Sequence, residues 1–209
     1  MRPNRLYECH DPEVVKELIR TNPWGMLVSA GDERGPVVSH YPLLLDEDVE
    51  GIAILTHVGH PDEELHDFGA KPLLIVIQGH HGYISPSWYA PGSTRAPTWN
   101  FSVAHCYGVP EILDREQNLA TLARLVEHFE RCVDEPLLLE PEYGARLVGG
   151  TVGLRIPIER FVCKLKLSQE KDQVSKRQVL ARLREPGPYG NQELAADMER
   201  VLRLDETSA

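Results

Sequence analysis

Six or so strand-like runs dominate the middle of the chain, with few long helical crossovers between them. They read "WGMLVSAG", "VVSHYPLLL", "GIAILTHV", "PLLIVIQG", "TWNFSVAHCYGVPEIL" and "TVGLRIPIERFVCKLKLS". Parallel neighbours need a connection of about a dozen residues or more, whereas antiparallel neighbours can be joined by a tight turn. The first two runs are joined across "DERG", a charged, glycine-ended hairpin signal. The expected fold class is therefore mainly β with peripheral helices (α+β), an antiparallel β-barrel. A single domain over residues 1–209 is expected, with a helical C-terminal segment at about 172–204.

The helices are marked by their caps. Asp11 and Pro12 open a helix whose apolar face is Val14, Val15, Leu18 and Ile19, and Asn22 with Pro23 stops it. Asp114 and Gln117 form a capping box ahead of the stripe Leu119, Leu122, Leu125, Val126 and Phe129. Ser175 with Gln178 predicts a third helix that Pro186 ends, and Asn191 begins a fourth through Leu194, Met198, Val201 and Leu202. "EPLLLEPEYGARLVGG" reads as loop, and "PLLIVIQG" as a strand buried on both faces.

Charge and motif content remove several function classes. The net charge of −10 argues against broad contact with nucleic acid or an anionic membrane. Residues 164–184 carry seven Lys or Arg against two acids, which reads as a solvated helix face before it reads as a nucleic-acid patch. No apolar run approaches a membrane span and the start lacks an apolar signal region, so a cytoplasmic protein is expected. The four cysteines are widely spaced and read as structural thiols. His57 and His60, three apart, fall at a turn beside Gly59 and Pro61, with no H-E-x-x-H, so no metal site is expected. No G-x-S-x-G and no phosphate-cradling glycine motif occurs, and no catalytic residue is assigned.

What remains is the aromatic stretch from His80 to His105, with Tyr83, Trp88, Tyr89, Trp99 and Phe101 interleaved with hydroxyls. Two readings are open on the residues alone. One is a core or dimer-interface cluster. The other is a wall for a flat ligand, its edges met by serines, Thr98 and Asn100.

"GYISPSWY", then "PTWNF", then "KLKLSQ" resembles the PaiB-type family of FMN-binding negative transcriptional regulators, in order along nearly the whole chain. Tyr83, Ser85, Pro86, Ser87, Trp88 and Tyr89 match its first motif, and Pro97, Thr98, Trp99 and Asn100 its second. Lys164, Lys166, Leu167, Ser168 and Gln169 match its lysine motif in part. The resemblance implies an antiparallel Greek-key split β-barrel of the pyridoxamine-phosphate-oxidase type, a homodimer with FMN as cofactor in a cleft between subunits. It also implies a flavin set of His57, His60, Tyr83, Ser85, Ser87, Trp88, Tyr89, Thr98, Trp99, Asn100, Lys164, Lys166, Ser168 and Gln169, with the phosphate near His57, His60, Lys164 and Lys166.

This chain departs from the family at three places. His60 stands where the family has an arginine, Cys163 replaces a glycine before the first lysine, and Glu170 replaces an asparagine. A histidine lacks the permanent forked charge of arginine, so weaker or more pH-dependent flavin binding is expected. The function implied is an FMN-binding regulatory protein whose effect on transcription need not involve direct DNA contact. Two alternatives stay open: an FMN-dependent oxidoreductase on a small substrate, with Tyr83, Trp88, Trp99 and His105 facing it, and a split-barrel dimer that has lost its flavin.

Overall fold

Apolar and polar positions that alternate give a strand one buried face, and in the computed structural model this alternation recurs in the longest strands. The structure describes residues 1–32, 35–69, 71–93 and 96–202. The first half of the chain forms β1 (Glu8–Cys9), α1 (Pro12–Thr21), β2 (Trp24–Asp32), β3 (Gly35–Pro42), β4 (Leu44–Leu45), β5 (Ala53–Gly59), α2 (Asp62–His66) and β6 (Leu73–Ile84). The second half forms β7 (Thr98–Gly108), β8 (Glu111–Ile112), α3 (Arg115–Glu130), α4 (Pro141–Val148), β9 (Thr151–Pro157), β10 (Arg160–Lys166), α5 (Gln173–Arg184) and α6 (Gln192–Leu202). They gather into a larger unit, Asp11–Ile77 with Ala104–Phe161, and a smaller one, Met1–His10 with Gln78–Val103 and Val162–Ala209.

In the larger unit β2 and β3 form the expected hairpin, from Trp24↔Pro42 to Ser29↔Val37, with a bulge before Asp32↔Gly35. Residues 33 and 34 of the predicted turn lie outside the described residues. The first half of β6 pairs with β2 at Met26↔Val76. A second sheet runs in the order β4-β5-β9-β8, with β5 and β9 paired from Ala53↔Pro157 to Gly59↔Thr151. All of these pairings are antiparallel. Leu27, Leu43, Ile54, Ile75, Leu154 and Ile156 are fully buried at its centre, and Val15 and Ile19 of α1 join them. The buried Asp46 carboxylate is held by Arg124 at 3.1 Å and by Arg155 at 2.9 Å.

In the smaller unit β1 pairs antiparallel with β10, Glu8 opposite Lys164 and Cys9 opposite Cys163. Ile84, Leu167, Val179, Leu183, Leu194 and Met198 form its core, which α5 and α6 close. Among the described residues no helix is long and apolar enough to cross a membrane.

Four local expectations change. β6 is not buried on both faces: Leu73, Ile75 and Ile77 are buried while Leu74 and Val76 are half-exposed, as an antiparallel strand with one core face requires. The predicted loop at 135–150 contains α4, which starts with Pro141 at a position where its missing N–H costs nothing. Its Gly144 lies where a Cβ would come within 2.7 Å of Leu119. α5 is capped by Asp172, which accepts from Ser175 N at 2.8 Å and from Ser175 Oγ at 2.7 Å. Ser175 Oγ in turn accepts from Ala90 N at 3.0 Å, so it serves packing rather than capping.

The capping box of α3 forms as predicted, but its buried stripe is Asn118, Thr121, Leu122 and Leu125, and Phe129 is exposed. Asn118 turns inward because its amide donates to Thr151 O at 3.0 Å, against Gly153. The C-terminal helical segment is α5 and α6; residues 203 and 204 of the predicted span lie outside the described residues.

Candidate functional site

The aromatic stretch falls in the smaller unit except for its last two residues. The second half of β6 carries His81 and Tyr83, and the chain then makes a single tight helical turn at Pro86–Trp88. Ser85 closes that turn: its Oγ accepts from Ser87 N at 3.3 Å and lies 2.8 Å from Ser87 Oγ. The two hydroxyls are thus engaged with each other and, through Ser85, with the backbone of the turn. Tyr89 is buried beneath the Lys171 ammonium, 4.4 Å from its ring centroid. Its Oη is buried without a hydrogen-bond partner, and burial raises its pKa.

The remaining rings form an open row. His81 and Trp99 are stacked at 6.3 Å, Tyr83 stands edge-on to Trp99 at 6.2 Å, and Tyr83 lies 5.3 Å from Tyr189. Tyr189 in turn stands edge-on to Trp88 at 6.4 Å. Trp99 is 54% exposed, and with Tyr83, Tyr189 and Phe101 it forms a run of aromatic surface and not an isolated exposed side chain. β7 alternates so that Trp99, Phe101 and Val103 share the open face and Asn100 and Ser102 the closed one. Gln78, His81, Trp99, Phe101, Ser102 and Val103 line a shallow cavity of about 280 Å³. Ser102 Oγ is buried there without a partner.

Lys166 ties the second motif to the lysine motif. Its ammonium donates to Trp99 O at 2.8 Å and, over a short contact, to Thr98 Oγ1. Burial lowers its pKa, Glu170 opposes that, and Lys171 and Lys164 add to it. Lys164 donates to Arg2 O at 3.2 Å and sits 6.0 Å above the Tyr7 ring. Burial and the neighbouring Glu170 push the Tyr7 phenol up to about 12. This edge of the unit is cationic, with Glu170 as its counter-charge.

Three predicted site residues are engaged with the protein itself. Asn100 and Ser168, both 1% exposed, bond each other reciprocally at 3.0 and 3.2 Å. The Gln169 carbonyl accepts from Leu167 N at 2.7 Å, and its amide donates to Leu165 O. The structure therefore brings together Thr98, Trp99 and Lys166, then Tyr83 with Trp99, then Asn100 with Ser168.

His57 and His60 belong to the larger unit. His57 Nδ1 is buried without a partner, its ring lies edge-on to Tyr41 at 6.2 Å, and burial lowers its pKa, which keeps it neutral at pH 7. Tyr41 Oη donates to Asp62 at 2.7 Å and accepts from Gly59 N at 3.1 Å. His60 Nδ1 is in short contact with Glu63 Oε1, so the residue in the arginine position already has a carboxylate partner. His105 is also in the larger unit, and burial lowers its pKa. Burial pushes the Cys106 thiol there up to about 12, in keeping with a structural thiol.

The residues of the smaller unit fit a flavin. The exposed ring row offers apolar faces to a flat heterocycle, Gln78 offers a polar edge, and the lysines offer charge to a phosphate. Two members of this row, His81 and Tyr189, are not among the residues expected from the sequence; His81 lies within the aromatic stretch itself, whereas Tyr189 lies far from it. It is about ninety residues from Trp99, and its only signal is an aromatic residue in the glycine- and proline-rich "EPGPYGN" turn.

A family model described as "Putative FMN-binding domain" matches residues 1–160. A Bacillus subtilis (strain 168) protein named "Protease synthase and sporulation protein PAI 2" is 26% identical over 203 residues, covering 95% of this chain and 97% of that one. An uncharacterized Emericella nidulans protein is 24% identical, covering 77% of this chain and 81% of the relative. Among solved structures, the FAD and heme binding protein from Mycobacterium smegmatis matches with a TM-score of 0.58 at 14% identity, over 76% of this chain and 73% of that one. The flavocytochrome Anf3 from Azotobacter vinelandii matches with a TM-score of 0.58 at 15% identity, over 79% and 72%. At such identities the structural likeness speaks for the fold, an antiparallel split β-barrel with peripheral helices.

Proposed function

The chain belongs to the FMN-binding domain family whose model spans residues 1–160, and from that premise we propose that it is an FMN-binding regulatory homodimer of the PaiB type. The observation that carries the flavin reading is the junction at Lys166. There one ammonium is held at Thr98 and Trp99, at the foot of an exposed row of rings. Trp99, Tyr83 and His81 would hold the ring system, and Lys166 with Lys164 the phosphate. When bound, FMN supplies hydride and one-electron chemistry. The protein's own part is to cover the ring, exclude water from its face and hold a cation near its phosphate.

The regulatory reading is supported by likeness along 95% of the chain to a relative named for protease synthesis and sporulation. Direct operator binding is disfavoured by charge. Of the basic run in α5, Arg182 is paired with Glu185, and Arg184 with Glu199 of α6, so part of its positive field is neutralised. An indirect effect on transcription fits better. The homodimer is supported by the open apolar face of β7, where Trp99, Phe101 and Val103 stand in a line that a second copy would cover.

The test is titration with FMN, reading flavin fluorescence together with mass by gel filtration. A dimer that takes up FMN is expected, and replacing Lys164 and Lys166 by Ala should weaken it about tenfold or more, the scale of lost charge-assisted contacts. Unchanged affinity in that double variant would remove the lysines from the site. A dimer indifferent to FMN would leave a split barrel without its flavin.

A further inference from the structure

The turn between α5 and α6 lies outside the residues matched by the family model, yet it delivers a ring into the candidate site. Resting on the flavin reading above, we infer that Tyr189 is a flavin-contacting residue, one wall of the isoalloxazine site with Tyr83 and Trp88.

The first ground is the manner in which Tyr189 is held. A tyrosine flanked by Pro188 and Gly190 would ordinarily sample many positions, but this turn is anchored at both ends. Asn191 donates through its side chain to His81 O at 3.1 Å and through its backbone N to Leu183 O at 2.6 Å. Its Oδ1 accepts from Leu194 N at 2.9 Å and so caps α6. Gly190 N closes on Gly187 O at 3.1 Å. Gly187 has φ +154, and a Cβ on Gly190 would lie 2.4 Å from Glu185 O, so each glycine is needed for the turn to form. On the facing strand, a Cβ on Gly82 would lie 2.9 Å from Leu194, so β6 too is stripped of side chain where this segment approaches.

The second ground is exposure. Tyr189 is 54% exposed although two other rings flank it, Tyr83 at 5.3 Å with a 48° tilt and Trp88 at 6.4 Å and 64°. A ring placed for core packing would be buried, and one placed only to solvate a turn would need no such anchoring. Tyr83 and Trp88 both belong to the "YISPSWY" motif, so Tyr189 extends the same surface from a distant part of the chain. The chemical class that suits such a surface is a flat, electron-poor heterocycle, stacked on or bounded by electron-rich phenol and indole rings.

The experiment compares the full chain with Tyr189→Phe, Tyr189→Leu and Tyr189→Ala, each titrated with FMN, reading affinity and the fluorescence yield of the bound flavin. Tyr and Trp rings quench flavin emission by electron transfer at contact. Phe should keep affinity close to wild type, while Leu and Ala should each weaken it about tenfold. In both Phe and Ala the bound flavin should be slightly brighter than in wild type, since one electron donor is lost while Tyr83, Trp88 and Trp99 continue to quench. Thermal melting of all variants should match wild type, because Asn191 and not Tyr189 fixes the turn. Wild-type affinity and quenching in the Ala variant would overturn the inference while leaving the flavin reading intact. A wild-type chain that takes up no FMN would overturn the flavin reading, and this inference with it.

Discussion

Replacing Asn100 by Ala separates a structural clamp from a cofactor ligand at the centre of the second aromatic motif. Asn100 and Ser168 are each 1% exposed and exchange two hydrogen bonds, the amide donating to Oγ at 3.0 Å and the hydroxyl to Oδ1 at 3.2 Å. The second amide N–H points at Met198 Sδ, 3.3 Å away. Truncation removes two net bonds of about 0.5–1.5 kcal/mol each and strands a buried hydroxyl at about 1–3 kcal/mol, so a loss of roughly 2–4 kcal/mol is expected after partial relaxation. For a chain of this size that lowers Tm by about 6–12 °C. Ser168 has φ +67, where an Ala would add strain, so the second arm of the cycle is Ser168→Gly. The Asn100→Ala/Ser168→Gly double variant should fall short of additivity by about 1–2 kcal/mol, since either change alone breaks the same pair. Urea unfolding followed by circular dichroism at one fixed protein concentration gives all four values, and FMN affinity is read on the same samples. A variant within about 0.5 kcal/mol of wild type that nonetheless loses FMN would refute the clamp and make Asn100 a ligand.

Two further outcomes follow from the larger unit. Asp46→Asn leaves Arg155 facing a neutral amide and Arg124 with Asp48 at 3.1 Å; both arginine side chains are about one-third exposed, so the cost should fall at or below the lower end for a broken buried pair, about 3 kcal/mol by denaturant unfolding. A cost under about 1 kcal/mol would mean that water already solvates the arginines. Stability should also fall in acid. Burial lowers the pKa of His57, His66 and His105, so the unfolded chain binds more protons than the folded one once pH drops below about 6.5. The stabilisation is complete above the ordinary histidine value and is lost as pH falls toward the lowered folded values. His66, which bonds Ser29 and Ser39 at 3.0 Å each, is the clearest case, and His66→Gln should flatten the melting profile between pH 6.5 and 5 relative to wild type. An equally steep profile would take His66 out of the acid response.

The strands were legible because their apolar residues alternate and their connections are short, two signals that local sequence carries directly. α4 was not, because Pro136, Pro141, Gly144, Gly149 and Gly150 punctuate the segment as they would a loop. What makes it a helix is tertiary: Pro141 sits at the first turn, and Gly144 lets Leu119 of α3 pack closely. The same division holds at the site. The motifs named Tyr83, Trp99 and Lys166 in advance, but not the spending of Ser85 and Ser87 on a turn, which only the backbone reveals. The His60–Glu63 contact was readable in principle, as a histidine and a glutamate three apart on a short helix entry.

That contact bears on how this chain can hold a phosphate at all. An arginine in the place of His60 would bring a permanent charge and spare donors, whereas His60 arrives with Nδ1 already facing a carboxylate. In the smaller unit the lysines proposed for a phosphate are Lys164 and Lys166, and both follow the last residue matched by the family model. Tyr189 follows it as well. Lys164 and Lys166, which match the family's lysine motif in part, and Tyr189, which lies beyond residue 160, all fall in the smaller unit, with Glu170 as the opposing charge. A flavin phosphate held by single ammonium groups, without the paired bonds of a forked guanidinium, should be released more readily by salt. It should also weaken on the alkaline side before an ordinary lysine would titrate, since burial lowers the Lys166 pKa and its charge is lost sooner as pH rises.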